Sequence, residues 1–166
     1  MRNEHGMTMI ELLVVLVMAS IVVALTVVAS TPWMAEESMR SAMSSVQSTM
    51  QLARVEAVSR NRDCRFVIDS QAGELQVRDT LGNTLLHERQ LPGSVIVARP
   101  DGGAAVTLEL VSGTTYRAVF RSDGTVSSGT GEVYLSGGDS FGSVSLFGAG
   151  GVESNRWNGT EWEVGF

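Results

Sequence analysis

Glu11 is the residue near the amino terminus whose chemistry most needs a partner. It closes the stretch Gly6-Met7-Thr8-Met9-Ile10-Glu11 and stands at the mouth of an apolar run, Leu12 to Ala29, interrupted only by Ser20 and Thr26. A carboxylate carried by such a helix to mid-bilayer costs about 2.5–3.5 kcal/mol, so a charge in that place persists only when something compensates it. Elsewhere, Gly138-Asp139-Ser140-Phe141-Gly142 matches the pattern in which a strained strand-to-helix turn exposes a nucleophilic serine. No helical pattern follows it, and His87 precedes the serine, against the order that chemistry requires. A glycine-serine hairpin loop is the expectation there. Gly148-Ala149-Gly150-Gly151 lacks the third glycine and the following helix of a dinucleotide site, so it too reads as a turn. Arg54, Arg60, Arg62 and Arg65 bracket one segment end, interspersed with Glu56 and Asp63; phosphate contacts would need most of them on one exposed face. Arginines balancing a helix carboxyl end and its acidic neighbours are the plainer reading.

The element that must carry Glu11 is the apolar run itself. Eighteen residues at about 1.5 Å each span about 27 Å, close to the roughly 30 Å of a bilayer's hydrocarbon core. A secretory signal peptide cut after Ala29 would also be apolar, but such regions are shorter and rarely open on a glutamate. An ordinary single-pass anchor with Glu11 at headgroup level is the other alternative. Gly6, Thr8, Glu11 and an unbroken apolar helix behind a six-residue leader together make a specific combination, which resembles the class III signal of type IV pilins and type II secretion pseudopilins. The resemblance implies cleavage by a prepilin peptidase after Gly6, N-methylation of Met7, and pairing of Glu11 with a neighbouring subunit's terminal amine during assembly. It also supplies the orientation, leader cytoplasmic and globular part periplasmic, since Arg2 opposed by Glu4 is a thin basis for one.

Beyond Pro32, Met39, Met43, Val46, Met50, Ala53 and Ala57 recur at spacings of four and three, a single helical stripe that predicts packing on the chain's own globular part. Arg40, Ser41, Ser44, Ser45, Ser48, Arg54 and Glu56 lie opposite and are expected to be wet. A helix from Met7 to Arg60 would run 54 residues, roughly 80 Å. Pro32 predicts a bend near Ser30 to Pro32. Past the helix the composition changes, with seventeen of eighteen glycines at or after Gly73. Phe66 and Ile68 alternate with polar residues, as do Leu75 and Val77 after a turn at Gly73; Val106, Leu108 and Leu110 share a face, as do Tyr116, Ala118 and Phe120. About eight antiparallel strands are expected, with turns at Asp123-Gly124 and at Asn158-Gly159 between Trp157 and Trp162.

Residues 61–166 carry eight Arg against thirteen Asp or Glu, so the exported part is acidic and broad nucleic-acid affinity is disfavoured. Cys64 is the only cysteine, which leaves no intrachain disulfide; it is expected to be a small buried residue near the first strand. Major type IV pilins usually close a disulfide loop near the carboxyl end, and its absence leans toward a minor pilin or pseudopilin. No clustered metal ligands occur, and no cofactor is implied.

Ala53-Arg54-Val55-Glu56-Ala57, Phe120-Arg121-Ser122-Asp123-Gly124-Thr125 and Trp157-Asn158-Gly159-Thr160-Glu161-Trp162 are similar to segments of the GspH pseudopilins and the FimT or FimU minor pilins. The implied fold is α+β and pilin-like, a long N-terminal transmembrane helix packed against a C-terminal antiparallel β-sheet domain. The implied organisation is a leader over 1–6, the transmembrane half of the helix over 7–31, its periplasmic half over 32–60 and a β domain over 61–166. The implied role is a non-enzymatic minor pseudopilin of type II secretion, held in the inner membrane and incorporated into a pseudopilus. Its partners would be the prepilin peptidase, other minor and major pseudopilins or pilins, the inner-membrane assembly platform and membrane lipid. A minor type IV pilin is the alternative, and a DNA-binding pilin using Arg60, Arg62 or Arg156 a third. The DNA-binding subset uses a Gly-Arg-x-Arg segment, where this chain has Gly151-Val152-Glu153-Ser154-Asn155-Arg156.

Overall fold

A computed structural model of the chain describes residues 8–165, with the side chains of residues 25–32 outside the description. The sites at Gly6 and Met7 therefore lie outside the described residues. The chain divides into two compact units, one ending at Met34 and a second beginning at Ala35.

One helix, α1 (Met9–Arg60), spans 52 residues. It begins where Thr8 caps it: the Leu12 N–H donates to the Thr8 carbonyl at 3.1 Å and the Glu11 N–H to the Thr8 hydroxyl at 3.3 Å. It stops at Asn61, whose φ of 50° places it in the left-handed region that asparagine tolerates. The Arg62 N–H then returns to the Ala57 carbonyl at 3.1 Å and the Asn61 N–H to that of Val58 at 3.2 Å, which satisfies two carbonyls of the last turn. Pro32 lies inside α1, which continues on both sides of it.

Ten strands follow among the described residues, in two antiparallel sheets. The first contains β1 (Cys64–Asp69), β2 (Glu74–Asp79), β3 (Leu85–Gln90), β4 (Glu109–Ser112), β5 (Thr115–Phe120) and β6 (Val126–Ser128). Its order is β3-β2-β1-β5-β4, with β6 also on β5. The second contains β7 (Gly131–Gly137), β8 (Ser140–Leu146), β9 (Val152–Trp157) and β10 (Trp162–Val164), in the order β10-β9-β8-β7. Residues between β3 and β4 lie along the outer edge of β7. Ile96 exchanges backbone hydrogen bonds with Ser136, the Ala98 N–H reaches the Tyr134 carbonyl, and Val106 bridges Val133.

The core is where these layers meet. Met39, Met43, Val46, Met50, Ala53 and Ala57 are all buried, in one cluster with Phe66, Ile68, Leu75, Val77, Ala118 and Phe120 of the first sheet and Val133, Leu135, Val144 and Leu146 of the second. The expected stripe is thus the dry face of the helix. Ser45, expected to be wet, is buried with Thr49 beside that stripe. Their hydroxyls donate to the carbonyls four residues back, Ser45 to Ser41 at 2.8 Å and Thr49 to Ser45 at 2.6 Å, so burial leaves neither hydroxyl unpaired. Leu110 also departs from expectation. Val106 and Leu108 turn inward, but Leu110, paired with Tyr116 on the short edge strand β4, is 57% exposed.

Met43→Ala, which removes a fully packed side chain, is expected to cost the globular unit about 2–5 kcal/mol, against less than about 0.5 kcal/mol for the exposed Ser44→Ala. Urea unfolding followed by tryptophan fluorescence measures both.

Candidate functional site

At the start of α1, Thr8 and Glu11 stand at the N-cap and third helical positions, the spacing of a capping box. Unpaired N–H groups and the helix dipole favour a negative charge in this first turn, where Glu11 stands. From Leu12 to Val23 the large apolar side chains are 49–63% exposed on every side of the helix. A helix apolar all round requires a cover, either protein or lipid. Among the described residues no helix is long and apolar enough to cross a membrane; residues 25–31, the rest of the expected span, lie outside those whose side chains are described.

The helix-end segment Ala53-Arg54-Val55-Glu56-Ala57 does a different job. Ala53 and Ala57 are fully buried, which lets the backbones of helix and sheets approach closely. Arg54 donates to the Gly150 carbonyl at 3.3 Å in the turn between β8 and β9. A Cβ on Gly150 would collide with the Gly124 carbonyl, and one on Gly124 would lie 3.0 Å from Arg54 Nε. Arg54, the Asp123-Gly124 turn and the Gly148–Gly151 turn are therefore one lock, closed further by the Val126 N–H on the Gly148 carbonyl at 2.9 Å. Glu56 works on the other side. It pairs with Arg60 at 2.6 Å and with His87 of β3 at 3.4 Å, tying the helix end to the first sheet. The Arg60 guanidinium, with a smaller contribution from His87, holds the Glu56 carboxyl below the usual carboxylate range against the opposing effect of burial. Asp69 is lowered in the same direction, chiefly by the Ala72 N–H and then by those of Gln71 and the Thr114 hydroxyl, at the turn between β1 and β2.

The arginines weighed for nucleic acid are not gathered together. Arg60 is held by Glu56, and Arg156 of β9 pairs with Glu36 at 3.2 Å. Glu36 and Arg60 are 24 residues apart on α1, about 36 Å along its axis. Arg62 is exposed just past the helix end. The serine motif is the tight turn between β7 and β8, with Gly137 paired to Ser140, as the hairpin expectation had it. Cys64 opens β1 fully buried, and burial pushes its thiol pKa up, which suppresses the thiolate. No cluster of three or more potential metal ligands occurs among the described residues.

The terminal hairpin is also as expected, with Trp157 and Trp162 directly paired across β9 and β10. Their rings lie 5.2 Å apart at 53°, Trp162 continues to Tyr134 at 5.4 Å, and the Arg99 guanidinium sits 4.7 Å over the Tyr134 ring. Such tilted aromatic pairs contribute about 0.5–1.5 kcal/mol beyond area burial, so this cluster stiffens the end of the second sheet. Burial, helped by the Glu132 carboxylate that accepts from its hydroxyl, pushes the Tyr134 pKa up to about 12.

A capped N-terminal helix, apolar all round and then striped, with two antiparallel sheets on the stripe, defines a pilin-like α+β subunit. A model of the type II transport protein GspH matches residues 42–150, and a model of the prokaryotic N-terminal methylation motif matches residues 1–27. The chain belongs to the GspH family, whose members are structural subunits and not enzymes. Among solved structures it is similar to the type IV minor pilin FimU of Pseudomonas aeruginosa, with a TM-score of 0.53 at 13% identity over 77% of this chain and 94% of that one. A second crystal form of FimU aligns with a TM-score of 0.48 at 14% identity, over 75% of this chain and 96% of that one. No curated relative matches.

Gly150→Ala forces a side chain into a φ of 77° against the Gly124 backbone and is expected to cost about 1–3 kcal/mol, more than the roughly 1 kcal/mol of Arg54→Ala, in equilibrium unfolding. Because the folded pKa values of Glu56 and Asp69 are depressed, their stabilisation is complete above the ordinary carboxylate range and disappears as pH falls through the folded values. Stability should therefore be level above about pH 5 and decline below about pH 4, with a shallower decline in Glu56→Gln, by acid titration of the unfolding midpoint.

Proposed function

We propose that the chain is a GspH-like minor pseudopilin of the type II secretion system, a structural subunit at or near the pseudopilus tip that aids export of folded proteins. The observation that carries this reading is the joining, in one chain, of a GspH-family β domain to an N-terminal methylation motif whose glutamate sits in the first turn of the helix. In this reading a prepilin peptidase cleaves after Gly6 and the new amino terminus, Met7, is methylated. Residues 7–31 hold the subunit in the inner membrane, residues 32–60 continue the helix into the periplasm, and residues 61–166 form the domain there. Glu11 then neutralises the terminal amine of a neighbouring subunit. Each charge is costly near hydrocarbon, so their mutual pairing favours addition of the next subunit over its return to the bilayer. Other pseudopilins and the inner-membrane assembly platform are the partners, and membrane lipid is the resting environment.

A second reading, a minor type IV pilin in pilus biogenesis, is favoured by the fold likeness to FimU. Both readings use Gly6, Met7 and Glu11 in the same way and differ in the filament they serve.

Loss of exported enzymes from the culture supernatant of a deletion strain, restored on complementation, is the outcome expected of a pseudopilin. Unchanged secretion with lost surface piliation would transfer the protein to the pilus. Glu11→Val is expected to block incorporation into the filament while leaving the unfolding midpoint of the globular unit unchanged; normal incorporation would sink the pairing step.

A further inference from the structure

The uncharged stretch of α1 carries an aromatic near its end. From Leu12 to Ala35 the sequence holds 24 consecutive uncharged residues, and Trp33 lies three residues before the first carboxylate beyond them, Glu36. Trp33 is 72% exposed, whereas Trp157 and Trp162 are half-buried against each other in the terminal hairpin. An indole presents a broad apolar ring and one N–H that must donate somewhere, so its preferred place is a boundary where one side is hydrocarbon and the other polar. Glu36 and Glu37 bar the helix from sinking further, and Glu36 is in addition tied to Arg156 of β9. On the helix axis Trp33 stands 22 residues beyond Glu11, about 33 Å, against a hydrocarbon thickness of about 30 Å.

We propose that Trp33 is the lipid-interface anchor of α1. Its ring sits at the upper margin of the acyl chains and its indole N–H donates to headgroup oxygens, on the side of the membrane where the globular unit lies. By fixing that end of the helix, Trp33 sets the depth of the other, and so holds Glu11 at the opposite boundary of the hydrocarbon. The inference rests on the membrane-spanning reading of residues 7–31 and extends the lipid contact past Pro32.

The test uses the full chain reconstituted at low protein-to-lipid ratio into phosphatidylethanolamine/phosphatidylglycerol vesicles whose acyl chains carry bromine either near the headgroup or near the terminal methyl. The expected result is one component of tryptophan emission quenched by the shallow bromines, little affected by the deep ones, and lost in Trp33→Phe, with Trp157 and Trp162 unaffected. A chain that floats with the vesicles but shows the same quenching before and after Trp33→Phe overturns the anchor and leaves the span standing. A chain that does not float overturns both. Emission from Trp33 that is insensitive to bromine and shifts only as the protein-to-lipid ratio rises overturns the anchor in favour of a second copy of the chain covering this residue.

Discussion

The fold depends on one stripe of α1 being dry. Met39, Met43, Val46 and Met50 fill the gap beneath two separate sheets, and every strand that contributes to the core contributes by facing them or one another. Two sheets of different strand number do not offer one flat surface to a helix. Methionine suits that place because an unbranched, three-torsion thioether can fill irregular space that a β-branched side chain cannot. With Cys64 buried and unpaired, no covalent link assists. The domain holds its shape by packing and by a few polar ties at its margins.

Two of those ties lie at the last turns of the helix. Arg54 reaches the second sheet and Glu56 reaches the first, so two residues separated by one position secure both layers to the same helical end. The close approach of Gly124 and Gly150 is what brings a carbonyl within reach of Arg54. The local rules of helix termination meet the same place. Asn61 ends the helix in a left-handed turn, and Arg60, favourably placed at the negative end of the dipole, doubles as the partner of Glu56.

Much of this was legible in residue spacing. The stripe, the alternation in β1, β2 and β5, and the Trp157–Trp162 hairpin each follow from a strong local period or turn signal. What escaped was long-range. β3 has the burial pattern of a strand exposed along nearly its whole length, Leu85–Gln90, and carries no apolar alternation to announce it; β6 and β10 are three residues each. About eight strands were expected and ten are present among the described residues, in two sheets; the switch between sheets at Gly129–Gly131 leaves no periodic trace. Ser45 was misplaced since a serine that satisfies itself on its own helix can sit at the edge of a core. At the amino terminus the sequence pattern singled out Thr8 and Glu11, while their capping geometry emerges only with the helix start. The meaning of Arg54 depends on turns that lie about seventy and a hundred residues away along the chain.

The segment laid along β7 bears on how the chain meets other copies of itself. An open strand edge is a template for another chain, and copies of a protein brought close together are prone to zip together through such edges. Here the Ile96–Val106 stretch covers β7, and the edges left open carry charge: Glu88 and Arg89 on β3, Glu109 on β4, Glu163 on β10. The sheets are thereby poor templates for another chain.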